Sequence, residues 1–196
     1  MNFAEELAYW YLRFNGFFAI TNYVLHRYTD EGTLEKHMSS DTDILGLRTP
    51  HVFEEIGGHS YDWDDPVSKY FDTDRICGVV CEVKAGRYET GELLESKHVR
   101  RAVNRLGFGP ISQEDLETLD SFHEVDIGEN FRVFKLLIAN TPPKGDLPFV
   151  SLQDARSFIK RRIREYNQKY SDWVLFKSNI MQEIIWEVQQ EKGKRK

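Results

Sequence analysis

The pattern of apolar and polar positions predicts a chain that mixes helices and strands. Apolar residues recur at helical spacing over 3–15, and Gly16 follows where a helix would take its left-handed cap. The segments 17–28, 41–49 and 75–86 are rich in β-branched and aromatic residues, as strands are. The last of these is almost continuously apolar, which indicates a strand buried on both faces at the centre of a sheet.

The second half of the chain predicts further elements of both kinds. They are helices over 92–106 and 113–123, a strand over 131–139, a helix capped by Ser151 of the "SLQD" box, and a last helix over 179–190. The first three strands can pair as a meander. A helix between the third and fourth strands implies a parallel crossover. The predicted class is therefore α/β or α+β, with a mixed sheet and additional C-terminal helices.

The same pattern suggests how the chain is divided. Residues 1–139 carry the alternating elements and form the predicted core. Within them, residues 51–75 are rich in Gly, Asp and His and indicate an irregular insertion. Residues 140–196 are expected to form a helical extension that packs on this core.

The composition indicates the cellular compartment in which the protein is expected. The apolar runs are far shorter than the ~20 residues that a membrane helix needs, and the opening "MNFAEELAYW" has acids where a signal peptide carries Lys or Arg. Cys77 and Cys81, four apart in one strand, would have Cα atoms ~13 Å apart, too far for a disulfide. We therefore expect a cytoplasmic protein without a membrane partner, whose two cysteines are buried apolar side chains.

The net charge of −6 argues against a general polyanion binder, but the basic residues are clustered. The clusters lie at 97–105, 160–164 and 192–196. In the first, Lys97, Arg100, Arg101 and Arg105 avoid the apolar stripe of the predicted helix. These side chains either contact phosphates or form an ordinary solvated helix face. The same two interpretations apply to Lys160, Arg161, Arg162 and Arg164.

Acidic residues within two apolar strands are the strongest chemical signal. Residues two apart in a strand share a face, so Glu82 and Lys84 point the same way. If the second and third strands are neighbours, Asp43 can meet Glu82 at one end of the sheet. Two close carboxylates repel each other, and a divalent cation such as Mg²⁺ or Mn²⁺ would compensate them. The plainer alternative is a Glu82–Lys84 salt bridge at a sheet edge, worth under ~1 kcal/mol.

The ordered motifs resemble those of the PD-(D/E)XK nuclease superfamily, whose core is αβββαβ. The stretch "YLRFNGFFAITNYVLHR" resembles the helix and first strand of its resolvase-like and restriction-like members. "DTDILGLR" stands at the place of the Asp strand, "CEVKAG" at that of the (D/E)xK strand, and "SKHVRRAVNRLG" resembles the following helix. The resemblance covers about residues 3–139.

This resemblance implies a role for each matching residue. Asp43 and Glu82 would bind Mg²⁺ or Mn²⁺, and Lys84 would be the catalytic lysine. A Glu of the first helix would add a metal or water contact, and Glu5 is favoured over Glu6 because it lies eleven residues before Gly16. A first-turn acid favoured by the helix dipole explains either Glu equally well.

The chain also departs from the family pattern. Thr42 stands where many members have Pro, and the gap between Asp43 and Glu82 is longer than usual. The insertion that fills this gap offers alternative carboxylate ligands, although a solvated acidic loop is the simpler interpretation. These acids are Asp62, Asp64, Asp65, Asp72 and Asp74.

Together these observations predict a metal-dependent nuclease that hydrolyses phosphodiester bonds of double-stranded or branched DNA, with a homodimer as one compatible assembly. The alternative is a catalytically inactive protein of the same fold that binds nucleic acid or another protein. A third interpretation, fortuitous motifs in an interaction domain, predicts that Asp43 and Glu82 lie far apart.

Overall fold

The computed structural model describes residues 2–25, 40–89, 93–170 and 176–193. Within them the chain forms a six-stranded mixed sheet flanked by helices, which confirms the predicted mixed α/β class. The strands are β1 Phe18–Leu25, β2 Ser40–Arg48, β3 Ile76–Lys84, β4 Glu124–Ile127, β5 Phe131–Ala139 and β6 Phe149–Ser151. The helices are α1 Phe3–Phe14, α2 Asp65–Ser68, α3 Ser96–Leu106, α4 Gln113–Phe122, α5 Leu152–Glu165, α6 Asn167–Tyr170 and α7 Asn179–Gly193.

The sheet has the strand order β1-β2-β3-β5-β4, and β6 pairs with β5 beyond the end of β4. β1, β2 and β3 form the predicted antiparallel meander. β3 and β5 are parallel and in register from Ile76 opposite Phe131 to Lys84 opposite Ala139. This parallel pair is the predicted crossover, with α3 in the connection. It places β3 at the centre of the sheet.

The two faces of the sheet bury separate hydrophobic clusters because successive strand residues point to opposite sides. Ile44 and Cys81 belong to the larger cluster, which includes residues of α1, α5 and α7. Leu45 and Val80 belong to the other cluster, which includes residues of α3 and α4. Both cysteines are buried free thiols, as predicted, and burial raises the pKa of Cys77 to about 12.

Two helix starts follow directly from local hydrogen bonding. The Ser151 Oγ accepts a hydrogen bond from the backbone N–H of Asp154 at 2.9 Å, so the predicted cap of α5 is confirmed. At the start of α1, Asn2 caps the helix and Glu5 completes a capping box by accepting from the Asn2 backbone N–H at 3.0 Å.

The segment after β5 shares the larger cluster with the preceding elements. Val150 of β6 and Ile159 of α5 pack there with residues of α1 and β3. Ion pairs join α5 to α7, including Arg156 with Glu187 at 2.7 Å. The division at residue 139 stays a prediction, since one continuous core crosses it.

Some elements differ from the sequence prediction. The short strands β4 and β6 and the single-turn helices α2 and α6 were not predicted. Helix α3 begins at Ser96, whereas the sequence predicted a start at residue 92. Residue 92 lies outside the described ranges, and so do residues 26–28 at the end of the first predicted strand. Among the described residues, no helix combines the length and apolar character needed to span a membrane.

Candidate active site

The predicted acidic residues meet where β2 and β3 separate. The ladder between these strands runs from Arg48 opposite Cys77 to Ile44 opposite Cys81 and ends there. Beyond that point the remaining residues of β2 pair with β1, and those of β3 pair with β5. We call this opening the fork. Extending the register by one residue places Asp43 opposite Glu82, so the structure brings the two predicted ligands together.

The Asp43 side chain accepts the hydrogen bond that a backbone carbonyl of β2 would accept if the β2–β3 ladder continued. Its Oδ2 accepts a hydrogen bond from the backbone N–H of Val83 at 2.7 Å. Burial, followed by the negative charge of Glu82, raises the pKa of Asp43 from 3.8 to about 6, although the Val83 N–H and Lys84 act in the opposite direction. Two carboxylates are thus held close together with incomplete compensation.

Glu82 and Lys84 share one face of β3, as the alternation predicted. The Lys84 Nζ lies 2.5 Å from the Glu82 Oε1, and their side chains keep 36% and 18% of their exposure. By alternation with Val80, both point to the side of the sheet that α3 covers. The salt bridge of the plainer interpretation therefore forms, but beside a third charged group, Asp43, instead of at an isolated edge.

Glu5 contributes mainly to the start of α1. Its carboxylate accepts hydrogen bonds from the backbone N–H of Asn2 at 3.0 Å and from the Asn2 side chain at 2.5 Å. This is the helix-start role that the sequence left open. The Glu5 charge still helps to raise the pKa of Asp43, so its carboxylate lies within electrostatic range of the fork.

The basic helix α3 lies on the same side of the sheet as the fork. Arg100 is exposed and donates to the Gln113 side chain at 2.5 Å, and the Arg105 guanidinium stacks 4.8 Å from the ring centre of Tyr23. Neither these two nor Arg101 forms an ion pair within the described part of the chain. The side chain of Lys97 lies outside the described residues. Within the described residues, the arginines of α3 thus carry positive charge that no carboxylate pairs with.

Three side chains of the second basic cluster, Lys160, Arg162 and Arg164, already have partners within the protein. Arg162 is only 2% exposed and donates to the carbonyl oxygen of Asp62 at 2.6 Å. Lys160 pairs with Glu187 and Glu191, and Arg164 pairs with Glu191. Both interpretations of this cluster are therefore wrong for Arg162, because a buried side chain neither contacts a phosphate at the surface nor belongs to a solvated helix face.

Three acids of the insertion already have other partners. Asp62 accepts from the Tyr166 hydroxyl at 2.5 Å, and Asp64 accepts from the Tyr11 hydroxyl at 2.7 Å. Asp72 accepts from Arg75 at 2.7 Å. The first two contacts attach the insertion to α1 and to the end of α5, and Asp62 is buried instead of solvated. The carboxylate that meets Glu82 is Asp43.

The described residues contain no group of three or more His, Cys, Asp or Glu side chains arranged to hold a metal ion. The fork offers two carboxylates, which by themselves leave most of an octahedral coordination shell to water or to a substrate. Mg²⁺ is commonly bound in this way, through one or two carboxylates and substrate phosphates.

Sequence patterns missed one feature of the fork. Asn22 of β1 stands opposite Asp43 between the pairs Thr21–Ile44 and Tyr23–Thr42, and its φ is +53°. Left-handed backbone is uncommon within a strand, although Asn tolerates it better than most residues. Alternation alone would place Tyr23 on the α1 side, yet it packs with the cluster on the α3 side. The backbone at Asn22 thus redirects β1 beside the fork.

Comparison of the whole chain with protein-family models, with curated proteins and with solved structures gave no match.

Proposed function

We propose that the protein is a metal-dependent phosphodiesterase of the PD-(D/E)XK type that hydrolyses DNA. The observation that carries this proposal is the fork, where Asp43, Glu82 and Lys84 meet at the point where two central strands separate. The elements α1, β1, β2, β3, α3 and β5 follow the αβββαβ order that the resemblance implies, with α2 added before β3 and with α4 and β4 added before β5. The fork also opens toward the basic helix α3.

The side chains of the fork suit a hard divalent cation. Asp43 and Glu82 supply carboxylate oxygens, the donors that Mg²⁺ and Mn²⁺ prefer. Burial and then repulsion by Glu82 raise the pKa of Asp43, and a cation held by both carboxylates would relieve that repulsion. When bound, such an ion would polarise a phosphoryl oxygen and acidify a water molecule.

The protein groups have separate roles in this proposal. The Val83 N–H fixes the Asp43 carboxylate, so one ligand is oriented before any ion arrives. Glu82 holds the Lys84 ammonium beside the site. Lys84 then positions the attacking water and stabilises the negative charge that develops on the phosphoryl oxygens. Its remaining exposure of 36% leaves it accessible to a substrate.

DNA is the substrate that the surroundings favour. Arg100, Arg101 and Arg105 lie on a helix packed on the same side of the sheet, and arginine is suited to phosphate oxygens. Contacts of this kind fix the position of the duplex without selecting a sequence. Because the net charge is −6, a favourable contact with DNA has to be local, and α3 supplies the arginines for it.

A second candidate is an inactive protein of the same fold that binds nucleic acid or another protein. The observation in its favour is the close Glu82–Lys84 ion pair, in which each group already has a partner. It predicts DNA binding, or none, without hydrolysis in Mg²⁺.

The test is hydrolysis of supercoiled, linear and branched DNA in Mg²⁺ or Mn²⁺ by the parent protein and by Lys84→Ala. We expect Lys84→Ala to slow cleavage by about 100-fold or more, in the usual range for a group that assists proton transfer. Lys160→Ala is the matched control because it also removes an ion-paired lysine, but one between α5 and α7. Equal cleavage by Lys84→Ala and the parent would refute the assignment.

A further inference from the structure

A second concave site lies at the other end of β2. A cavity of about 710 Å³ opens there between the strand and the insertion, and its lining includes Arg48, Tyr61, Trp63 and Phe71. Arg48 is five residues from Asp43, or about 17 Å along a strand, and it points to the opposite face. This cavity, which we call the Arg48 cavity, is thus separate from the fork.

Arg48 is buried, and the described residues place no negative charge against it. It is 5% exposed, and its only hydrogen bond within the described residues runs from Nε to the carbonyl oxygen of Asn15 at 3.2 Å. No carboxylate of the described residues lies within ion-pair distance of it. A guanidinium has five N–H donors, and a buried charge without compensation is costly. The Nη groups therefore retain the capacity to bind an anion in the cavity.

The fold makes room for this side chain. Gly16 has a φ of +85°, and a Cβ there would lie 3.2 Å from the Arg48 Nε. The Arg48 guanidinium carbon stacks 3.9 Å from the ring centre of Phe71 and 5.0 Å from that of Trp63. Aromatic faces hold the guanidinium in position but cannot neutralise its charge.

Arg162, the other buried arginine among the described residues, provides a useful contrast. Its Nη1 donates to the carbonyl oxygens of Phe14 at 3.3 Å and of Asp62 at 2.6 Å. Those contacts join the end of α1 to the insertion. Arg48 has no comparable pair of acceptors, and unlike Arg162 it lines a cavity. A purely structural role therefore accounts for Arg162 better than for Arg48.

The mouth of the Arg48 cavity is aromatic and open to solvent. Phe53 and Tyr61 are 63% and 75% exposed. The His59 ring stacks on Tyr61 with centroids 5.2 Å apart and planes within 18°. Exposed aromatic rings above a buried cation offer a stacking surface for a flat ring whose anionic group reaches the arginine.

We propose that the Arg48 cavity binds a nucleotide, with its phosphate on Arg48 and its base against Tyr61 and Phe53. The volume lies within the usual range for small-molecule sites. Asp72 also lines the cavity, but its carboxylate pairs with Arg75 at 2.7 Å and faces Arg132 at 3.6 Å, which compensates its charge. A free nucleotide and the phosphorylated end of a single strand share this chemistry.

The test is a titration of the full chain, without divalent metal, with AMP, adenosine, inorganic phosphate and a 5′-phosphorylated thymidine tetranucleotide. Binding is followed by calorimetry and by tryptophan fluorescence, since Trp63 lines the cavity. AMP is expected to bind at least 10-fold more tightly than adenosine or phosphate. Tighter binding of the tetranucleotide than of AMP would identify the end of a strand as the ligand. Tighter binding of AMP would identify a free nucleotide.

Variants distinguish binding in the Arg48 cavity from non-specific binding to exposed aromatic rings. Tyr61→Ala with Phe53→Ala removes exposed rings only, so folding should be preserved, and nucleotide affinity should fall by about 10-fold or more. Phe122→Ala with Trp186→Ala is the matched control, because these rings are 72% and 60% exposed but do not line the cavity. Arg48→Lys, checked for folding by circular dichroism, should weaken AMP far more than adenosine.

Two results would overturn the proposal. One is the absence of saturable binding of either phosphorylated ligand. The other is unchanged affinity in the Tyr61 and Phe53 double variant. Because Asp43, Glu82 and Lys84 take no part, failure here leaves the proposed hydrolysis at the fork standing, and failure of hydrolysis leaves this site standing.

Discussion

Two acidic residues lie near each end of β3, but the positive charge that compensates them differs between the ends. At its start, Asp72 and Asp126 face two arginines: Arg75 lies 2.7 Å from Asp72, and Arg132 lies 2.6 Å from Asp126. At its other end, Lys84 is the cation of the described residues that faces Asp43 and Glu82.

The pKa values follow this difference in charge balance. Arg132 donates to Asp126 and lowers the pKa of that carboxyl. The backbone N–H of Asp74 lowers the pKa of Asp72 most, and the hydrogen bond from Arg75 lowers it further. At the fork, burial and Glu82 raise the pKa of Asp43 to about 6. The start of β3 is built for stability, whereas the fork keeps negative charge that a ligand can neutralise. Strained electrostatics of this kind are common at functional sites.

The largest expected difference between the two ends is in catalysis. Asp43→Asn keeps an oxygen that can accept from the Val83 N–H but loses the charge that would hold a cation. We expect DNA hydrolysis in Mg²⁺ to fall by about 100-fold or more, because a bound metal ion contributes several kcal/mol to the transition state. Asp126→Asn removes a carboxylate from the balanced end and should leave the rate essentially unchanged. Equal losses in the two variants, measured by single-turnover cleavage, would remove the functional distinction between the ends.

A smaller effect is expected on stability at the balanced end. Arg132→Met leaves Asp126 without its bidentate partner and Asp72 with only Arg75. We expect the free energy of unfolding in urea at pH 7 to fall by about 1 kcal/mol, the upper part of the range for exposed ion pairs. Arg100→Met serves as the control, since that arginine has no carboxylate partner among the described residues. A comparable loss of unfolding free energy in Arg132→Met and Arg100→Met would mean that the ion pairs at the start of β3 do not contribute to stability.

The smallest effect concerns the pH dependence of stability without metal. The pKa of Asp43 is raised from 3.8 to about 6, so the folded state holds this proton more tightly than the unfolded state does. The stability that this provides is complete below about pH 4 and is lost as the pH rises through 6. Asp43→Asn should therefore stabilise the protein at pH 8 by about 0.5–1 kcal/mol, discounted for solvent screening, and have little effect at pH 4.

This experiment is done in EDTA, by urea denaturation at each pH. Asp126→Asn should show the opposite trend, because its lowered pKa favours the folded state at neutral pH and this advantage disappears in acid. A stabilisation by Asp43→Asn that is the same at pH 4 and pH 8 would show that the Asp43 charge is not the cause.

The sequence predicted the central sheet and the meeting of Asp43 with Glu82 because both depend on simple periodicities. Apolar runs located β2, β3 and β5, and the two-residue alternation placed Glu82 and Lys84 on one face. β6 was missed because three residues carry too little pattern, and it exists only where Val150 can pair beside β5.

Other features depend on contacts between distant segments. Arg162 has the sequence signature of an exposed helix face, but the insertion covers it and supplies a carbonyl acceptor from Asp62. Arg48 ends a strand like many surface arginines, and its burial depends on Gly16, Trp63 and Phe71. No local pattern encodes such packing, so the second cavity could not be predicted from the sequence.

The most direct test of the central claim is calorimetric titration of Mn²⁺ into three proteins. The parent and Asp72→Asn with Asp126→Asn should each bind about one ion with similar affinity. Asp43→Asn with Glu82→Gln should lose that binding, although the same number of carboxylates has been removed from the same strand's surroundings. Equal binding by both double variants, or no binding by the parent, would contradict the assignment of the fork as a metal-dependent site.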